Sequence, residues 1–453
     1  MSKDAKKSKK KGELSKTVSM PLIHPNAAGI DIGDTFHTVA VPFGRDEVNV
    51  REFGAFTADL LSIVAWLKAC QIETVAMEST GIYWKNLFSL LVKHGFEVYL
   101  VNAKHTRNVT GRKDDESDAQ WIQKLHSCGL LKNCFLPDEQ TEKLRTLVRH
   151  RKSLTNDSSR YVLRMEKALE SMNIKIHTVI SDITGKTGTA IIKAIISGER
   201  NPRSFLAFVD RRIKADDNTI IKSLEGNWRS EHLFLLQQCY NLYQHMQTQI
   251  DFCEKQIEEV LKAMTITPQG NQLNDSSKKT KKKKNKNHPR FNTQSYLKNI
   301  HGVDVMDIYG ISETTALEIL SETGRDLSKW ADEKKFVKWL NLCPNNKITG
   351  GKLISSQLLK KKPNPAAQAF RMAGNALQKS NHWLGDYFRR MRSKGGQKYA
   401  IVAAARKLAI IYYKMVRFKE PFTPFNLDEY HQKYKQAKIA YLEKTLRRLK
   451  QAA

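Results

Sequence analysis

Four carboxylates in this sequence have the types and spacing that phosphoryl transfer would need. Asp31 closes the apolar run of GIDIG, Glu78 closes another in MESTG, and Asp115 and Asp118 lie three residues apart in KDDESDA. Three-residue spacing sets Asp115 and Asp118 on one face of a helical turn. Hard Mg2+ ions take oxygen ligands, and paired ions stabilise both the attacking and the leaving oxygen of a phosphoryl transfer. Acids that converge at a sheet edge repel one another unless a cation sits among them, so convergence would point to metal. Singly, each motif reads most simply as a cap or a turn. The order strand-Asp, strand-Glu-Ser-Thr-Gly, helical Asp-x-x-Asp is far more specific.

The surrounding elements must bring these acids together. Residues 28–43 predict two strands with a turn near Gly33-Asp34, and 47–53 a third. A helix is expected over 60–70, a short strand over 73–78, a helix over 83–95 ending in Gly95, a strand over 96–102 and a helix over 116–127. This β-β-β-α-β-α-β-α order predicts an α/β domain of the ribonuclease-H-like (RuvC-like) type over 26–140. An ordinary α/β sheet has the same alternation.

Beyond it the chain turns helical, over 141–264. Leu147, Leu154, Tyr161 and Ala168 recur at sevens, with Met165 and Met172 on the adjoining seam. Leu236, Tyr243, Ile250, Ile257 and Met264 form one heptad row, and Cys239, Met246, Cys253 and Val260 another. Such paired rows predict a central helical coiled coil. Pairing within the chain and pairing between chains both satisfy them; a seam between copies would make a dimer. Within the less legible 174–230, Gly185-Lys186-Thr187 lacks the first glycine of a phosphate-binding loop, because Ile180 stands there. Residues 265–296 are polar and lysine-rich, as a linker would be. A compact, mainly α-helical domain is expected at 297–417. Its helices fall at 313–323, capped by Ser312 and closed by Gly324, and at 333–341, 365–379, 380–394 and 398–417. Basic tails flank the whole, at 1–25 and, helical, at 418–453.

Charge narrows the partners. Lys and Arg number 76 against 46 Asp and Glu, a net charge of +30 on 453 residues. The excess gathers at 1–20, at 278–290, which includes Lys281, Lys282, Lys283 and Lys284, and at 431–450. Such runs are solvated, yet each phosphate they neutralise adds affinity through counterion release. A polyanion, nucleic acid before a membrane surface, is the expected partner. Apolar residues make up 40%, enough for real cores. No apolar run reaches the length of a membrane span. The lysine-rich start has no apolar segment of the secretory kind, and six cysteines without a CxxC pair exclude a zinc ribbon and fit a reducing cytoplasm, with nucleoid association expected of a DNA-bound protein.

The motifs together resemble the DEDD transposases of insertion-sequence family 110, the prokaryotic RNA-guided bridge recombinases. The resemblance runs through GIDIG (29–33), MESTGIY (77–83), GRKDDESDA (111–119), HGVDVMDIYGIS, NLCPNNKITGGK and ARKLAIIYYKM. It implies that Asp31, Glu78, Asp115 and Asp118 bind Mg2+ in a RuvC-like domain. It also implies a hydroxyl nucleophile in a C-terminal transposase domain, on a segment following Leu-x-Pro and just before a glycine. That position is Thr349 here, where the family has serine; Ser355 and Ser356 are the alternatives nearby. The extra methyl of threonine restricts χ1 and crowds in-line attack. Arg112, Lys113 and Lys352, beside these motifs, are expected on nucleic acid. A non-coding guide RNA, donor and target DNA, and a homo-oligomer (a dimer, a tetramer on DNA) complete what the resemblance implies. A RuvC-like junction nuclease, or a binding protein that no longer catalyses, remain open as alternatives at this stage.

Overall fold

The computed structural model describes residues 21–102, 117–265, 286–359 and 364–452. Arg112, Lys113, Asp115 and Lys281 to Lys284 lie outside the described residues. The chain divides into two compact units, Met1–Leu136 and Pro137–Ala453.

The first unit is built on a five-stranded sheet: β1 (Ala27–Ile32), β2 (Phe36–Ala40), β3 (Val50–Gly54), β4 (Thr74–Glu78) and β5 (Glu97–Val101). Its order is β3-β2-β1-β4-β5, with β1, β2 and β3 antiparallel and β1, β4 and β5 parallel. The helices α1 (Thr57–Ala69), α2 (Trp84–Lys93) and α3 (Asp118–Ser127) complete it. Alternation sorts the strands by face. Ala28, Ile30, Ile32, Val75, Met77, Val98 and Leu100 share a core with Leu60, Ile63, Leu67, Leu87 and Leu91 of α1 and α2. On the other face Ala76 and Val101 pack with Trp121, Ile122 and Leu125 of α3. This mixed sheet with helices on both faces is the ribonuclease-H-like arrangement that the sequence order predicts.

The second unit is mostly helical. α4 (Glu139–Ser171) and α7 (Ser230–Thr265) lie side by side and antiparallel: Cys253 reaches the Leu147 carbonyl, Gln247 donates to Ser158 Oγ at 2.8 Å, and Met165 packs in one core with Leu236, Cys239 and Tyr240. The row Leu236, Tyr243, Ile250, Ile257, Met264 is buried throughout, as its spacing predicts. On α4 the outcome differs. Leu147, Leu154 and Tyr161 are only half-buried, and the buried seven-residue row is Leu144, Arg151, Ser158 and Met165. Two polar residues hide that row from a hydrophobic pattern: Arg151 pairs with Glu254 and Ser158 accepts from Gln247. The rows that would have joined two copies are therefore engaged within one chain.

Between these helices, α5 (Lys186–Ile196) and α6 (Asp217–Ser223) add Ile191, Ile192, Ile195 and Ile220 to the same core. The polar segment expected as a linker is anchored at its end: Arg290 N donates to Glu254 Oε2 and Arg151 donates to the Asn287 carbonyl, each at 2.9 Å. α8 (Thr293–His301), α9 (Glu313–Thr323), α10 (Glu333–Trp339), α11 (Pro365–Ala376) and α12 (Trp383–Phe418) follow. Ser312 caps α9 and Gly324 closes it. The two helices expected at 380–394 and 398–417 meet at Gly396, whose φ of 79° breaks the helical backbone inside α12. The last helix is α13 (Leu427–Ala452). One element departs from the helical expectation, a two-stranded hairpin of β6 (Asn345–Thr349) and β7 (Lys352–Gln357).

Candidate active site

Backbone register decides where the acids of the first unit lie. Gly29 on β1 faces Ala76 on β4, and Ile30 faces Met77. One residue further along each parallel strand stand Asp31 and Glu78. Period-two alternation puts Asp31 on the face of Gly29 and Glu78 on the face of Ala76, the face covered by α3. Both acids are half-buried.

Gly29 explains how closely α3 approaches. A Cβ at that position would lie 2.3 Å from the Ala119 carbonyl oxygen and 2.3 Å from the Gln123 nitrogen. Any side chain would force the helix off the sheet, so glycine is required by the contact. The helix runs antiparallel to β1. Gln123 Nε2 donates to the Ala27 carbonyl at 3.3 Å, and the amides of Ile23 and His24, just before β1, donate to Ser127 at the helix C-terminus. The opposite end of α3, which begins at Asp118, therefore points toward the Asp31 end of β1.

That helix end is well defined. Ser117 Oγ accepts from Gln120 N at 3.2 Å, while Gln120 Oε1 accepts from Ser117 N at 3.0 Å, a reciprocal capping box. Asp118 occupies the first turn, where the helix dipole favours a carboxylate, and it is exposed. The expected helix over 116–127 thus starts at Asp118, after a cap at Ser117.

Asp31 and Glu78 thus share one sheet face, and Asp118 starts the helix over that face toward the same end. Among the described residues, no group of three His, Cys, Asp or Glu side chains stands close enough to hold a metal ion. Around Glu78, Ser79 N donates to the Val101 carbonyl at 3.0 Å and Gly81 turns the chain with a φ of 56°. His37, a residue the sequence reading passed over, is buried on β2. Burial pushes its imidazole below the usual range, and the negative charge of Asp31 pulls against that shift. Its cross-strand partner is Ile32, one residue beyond Asp31, a placement that strand pairing decides.

In the second unit Thr349 ends β6, and its partner across the hairpin is Lys352. Gly350 and Gly351 form the two-residue turn between them, with φ of 55° and 75°. Positive φ at both central residues is what a tight hairpin turn demands, and glycine supplies it without strain. Thr349 and Lys352 are exposed at the tip. Ser355 is half-buried opposite Lys347, and Ser356 donates to Asn346 Oδ1 at 2.8 Å. Three aliphatic side chains near the tip also escaped the sequence reading: Ile348, Leu353 and Ile354. Their signal was present, since a glycine pair flanked by alternating residues marks a hairpin.

The six cysteines are free, and burial raises the thiols of Cys70, Cys239 and Cys253. Among the described residues no helix is long and apolar enough to cross a membrane.

Comparison with known families matches both regions. The family model for DEDD transposases of IS110, described as a transposase, matches residues 28–174. That of the transposase IS116/IS110/IS902 family matches residues 304–389. No curated protein matches the chain. The first match spans the sheet with Asp31, Glu78 and Asp118, the second spans the hairpin with Thr349, and together they cover just over half of the sequence. The chain accordingly belongs to the IS110 family of DEDD transposases and is a DNA transposase/recombinase.

Proposed function

We propose that the protein cuts and rejoins DNA with a Mg2+-dependent carboxylate site and a hydroxyl nucleophile. The observation that carries this reading is the placement of Asp31 and Glu78 on the sheet face under α3, with Asp118 toward the same end. The donor chemistry fits: carboxylate oxygens suit a hard cation and offer nothing to a soft one. Asp31, Glu78, Asp115 and Asp118 would hold the metal. When bound, Mg2+ supplies Lewis-acid polarisation of the scissile phosphate and stabilises charge on the departing oxygen.

The remaining chemistry belongs to side chains. The Thr349 oxygen would attack phosphorus as its hydroxyl gives up a proton, the 3′ or 5′ oxygen would leave and take up a proton to become a hydroxyl, and the threonyl phosphodiester would keep the bond energy for rejoining. Gly350 and Gly351 leave the tip without side chains, so backbone and DNA can approach. Lys352, opposite Thr349, offers its ammonium to a phosphate oxygen. Lys281 to Lys284, Arg112 and Lys113 add sequence-independent affinity. A non-coding RNA would read sequence by base pairing, leaving the protein to hold backbones with basic surface. Bringing donor and target together calls for more than one copy on DNA.

A strand-transfer assay on oligonucleotides with and without Mg2+ tests the reading. A covalent protein–DNA adduct that depends on metal and is lost in Asp31→Asn and Glu78→Gln supports it. Free cleaved ends without adduct would make the protein a junction nuclease, and binding without cleavage an inactive relative. An Asp118→Asn protein with full activity would remove that acid from the site.

A further inference from the structure

The β6–β7 hairpin presents an apolar tip to solvent. Ile348, Leu353 and Ile354 are 63, 57 and 67% exposed. Ile348 faces Leu353 directly across the hairpin, and Ile354 is the extra residue of an irregularity, since Lys347 pairs with Ser355 while Ile348 pairs with Leu353. Unpaired bulge residues are re-aimed out of the ladder. Three large aliphatics thus lie within three residues of the Gly350-Gly351 turn.

Such an element does not stabilise itself. An isolated two-stranded hairpin is marginal in water, and exposed aliphatics on open strand edges invite association. Its surroundings identify the chemistry of what it meets. From Lys334 to Gly385 the chain carries ten lysines and arginines and no carboxylate. Lys347 and Lys352 lie on the hairpin itself, and both are exposed. Basic sequence on either side of an apolar tip that itself carries Lys347 and Lys352 matches a polyanion with an apolar interior, which is duplex DNA: phosphates outside, stacked bases within. A second copy of this chain, with its net charge of +30, would meet the same segment with repulsion.

We propose that Ile348, Leu353 and Ile354 form a wedge that enters a base step of duplex DNA while Lys347 and Lys352 hold the flanking phosphates. The inference rests on the DNA-transposase reading and goes beyond it by assigning a task to the aliphatics. Apolar side chains inserted between base pairs unstack and kink the duplex at a cost of a few kcal/mol per step. The cost is lower where the step is already mismatched, so a wedge reveals itself by preferring such DNA.

The test uses the full chain, a short mixed-sequence duplex, and the same duplex with a central mismatched step beside 2-aminopurine. The expected result is about tenfold tighter binding to the mismatched duplex, with brightening of the 2-aminopurine. I348S/L353S/I354S should abolish the preference and the brightening while keeping affinity for the perfect duplex and its salt slope. K347Q/K352Q should weaken both complexes alike and flatten the salt slope by about two while keeping the preference. Because all five side chains are exposed, melting curves should stay unchanged, which separates these effects from misfolding. Equal binding of the two duplexes by the unaltered protein overturns the wedge while leaving DNA binding intact. A preference that survives in the triple-serine variant also overturns it, as does loss of a dimer in that variant by light scattering, which would make the tip a contact between copies. Binding of neither duplex would overturn the transposase reading itself and the wedge with it.

Discussion

Arg151 and Glu254 form an ion pair of 2.6 Å between α4 and α7, with side-chain exposures of 7 and 5%. Each charge has a second duty. Arg151 also donates to the Asn287 carbonyl and Glu254 Oε2 also accepts from Arg290 N, so the pair fastens the chain where it returns from the lysine-rich run. Arg290 adds a contact to Asp251 and a 2.8 Å hydrogen bond to Gln247.

Removing one partner of such a pair leaves a buried charge uncompensated, at about 3–5 kcal/mol. Glu254→Gln should therefore lower the denaturant midpoint strongly and expose the 286–290 segment to trypsin. The double change Arg151→Met with Glu254→Leu should regain most of the stability but not the protection of 286–290. Equal proteolysis in all three proteins would show that the pair does not hold that segment.

Gly29→Ala tests the approach of α3 to the sheet. The added Cβ meets backbone atoms at 2.3 Å, so the helix must shift. Overpacking of this kind costs about 1–3 kcal/mol. The melting temperature should fall modestly, and strand transfer should fall far more than DNA binding, because Asp118 moves with the helix. Activity that merely tracks the loss of folded protein would separate helix position from catalysis.

Buried histidines contribute to the response to acid, His301 and His126 foremost. Burial lowers His301 to about 3, with the Lys419 charge adding to the effect, and lowers His126 to about 4, with His24 adding to it. Both folded-state values lie below the unfolded one, so the unfolded chain binds more protons in between. Stability is full above about pH 6.5 and falls as the pH drops toward the folded values. Melting temperatures should decline between about pH 7 and about pH 5, and His301→Gln should make that decline shallower. An unaltered slope would assign the acid sensitivity to other groups.

Thr349→Ala should leave the melting curve unchanged, since the side chain is exposed at the hairpin tip, and should abolish adduct formation. Thr349→Ser should retain or raise it by relieving crowding from the methyl group. Peptide mapping of a trapped adduct decides the position: a phosphodiester on Ser355 or Ser356 would move the nucleophile along β7.

Deleting 278–286 removes seven lysines. Nucleic-acid affinity should fall and its salt dependence should flatten, with strand-transfer chemistry retained on saturating DNA. The same salt slope before and after the deletion would mean that these lysines do not meet phosphates.

The amino-acid order by itself determined much of the first unit. Strands and helices there announce themselves through periods of two and 3.6, and the strand-end acids follow from where the apolar runs stop, as at Asp31 and Glu78. The burial of Leu236, Tyr243, Ile250, Ile257 and Met264 was equally legible, because an unbroken seven-residue row has one buried solution. Tertiary structure decided what depends on partners distant in sequence. Arg151 and Ser158 read as surface residues until Glu254 and Gln247 come to meet them, since a polar side chain is buried only when another segment satisfies it. Gly29 reads as a loose strand position until the backbone of α3 fills the space its side chain would occupy. That Asp31 and Glu78 share a face, with Asp118 toward the same end, is likewise a matter of register and helix direction, set by hydrogen bonds between strands and by packing across the sheet rather than by any local propensity.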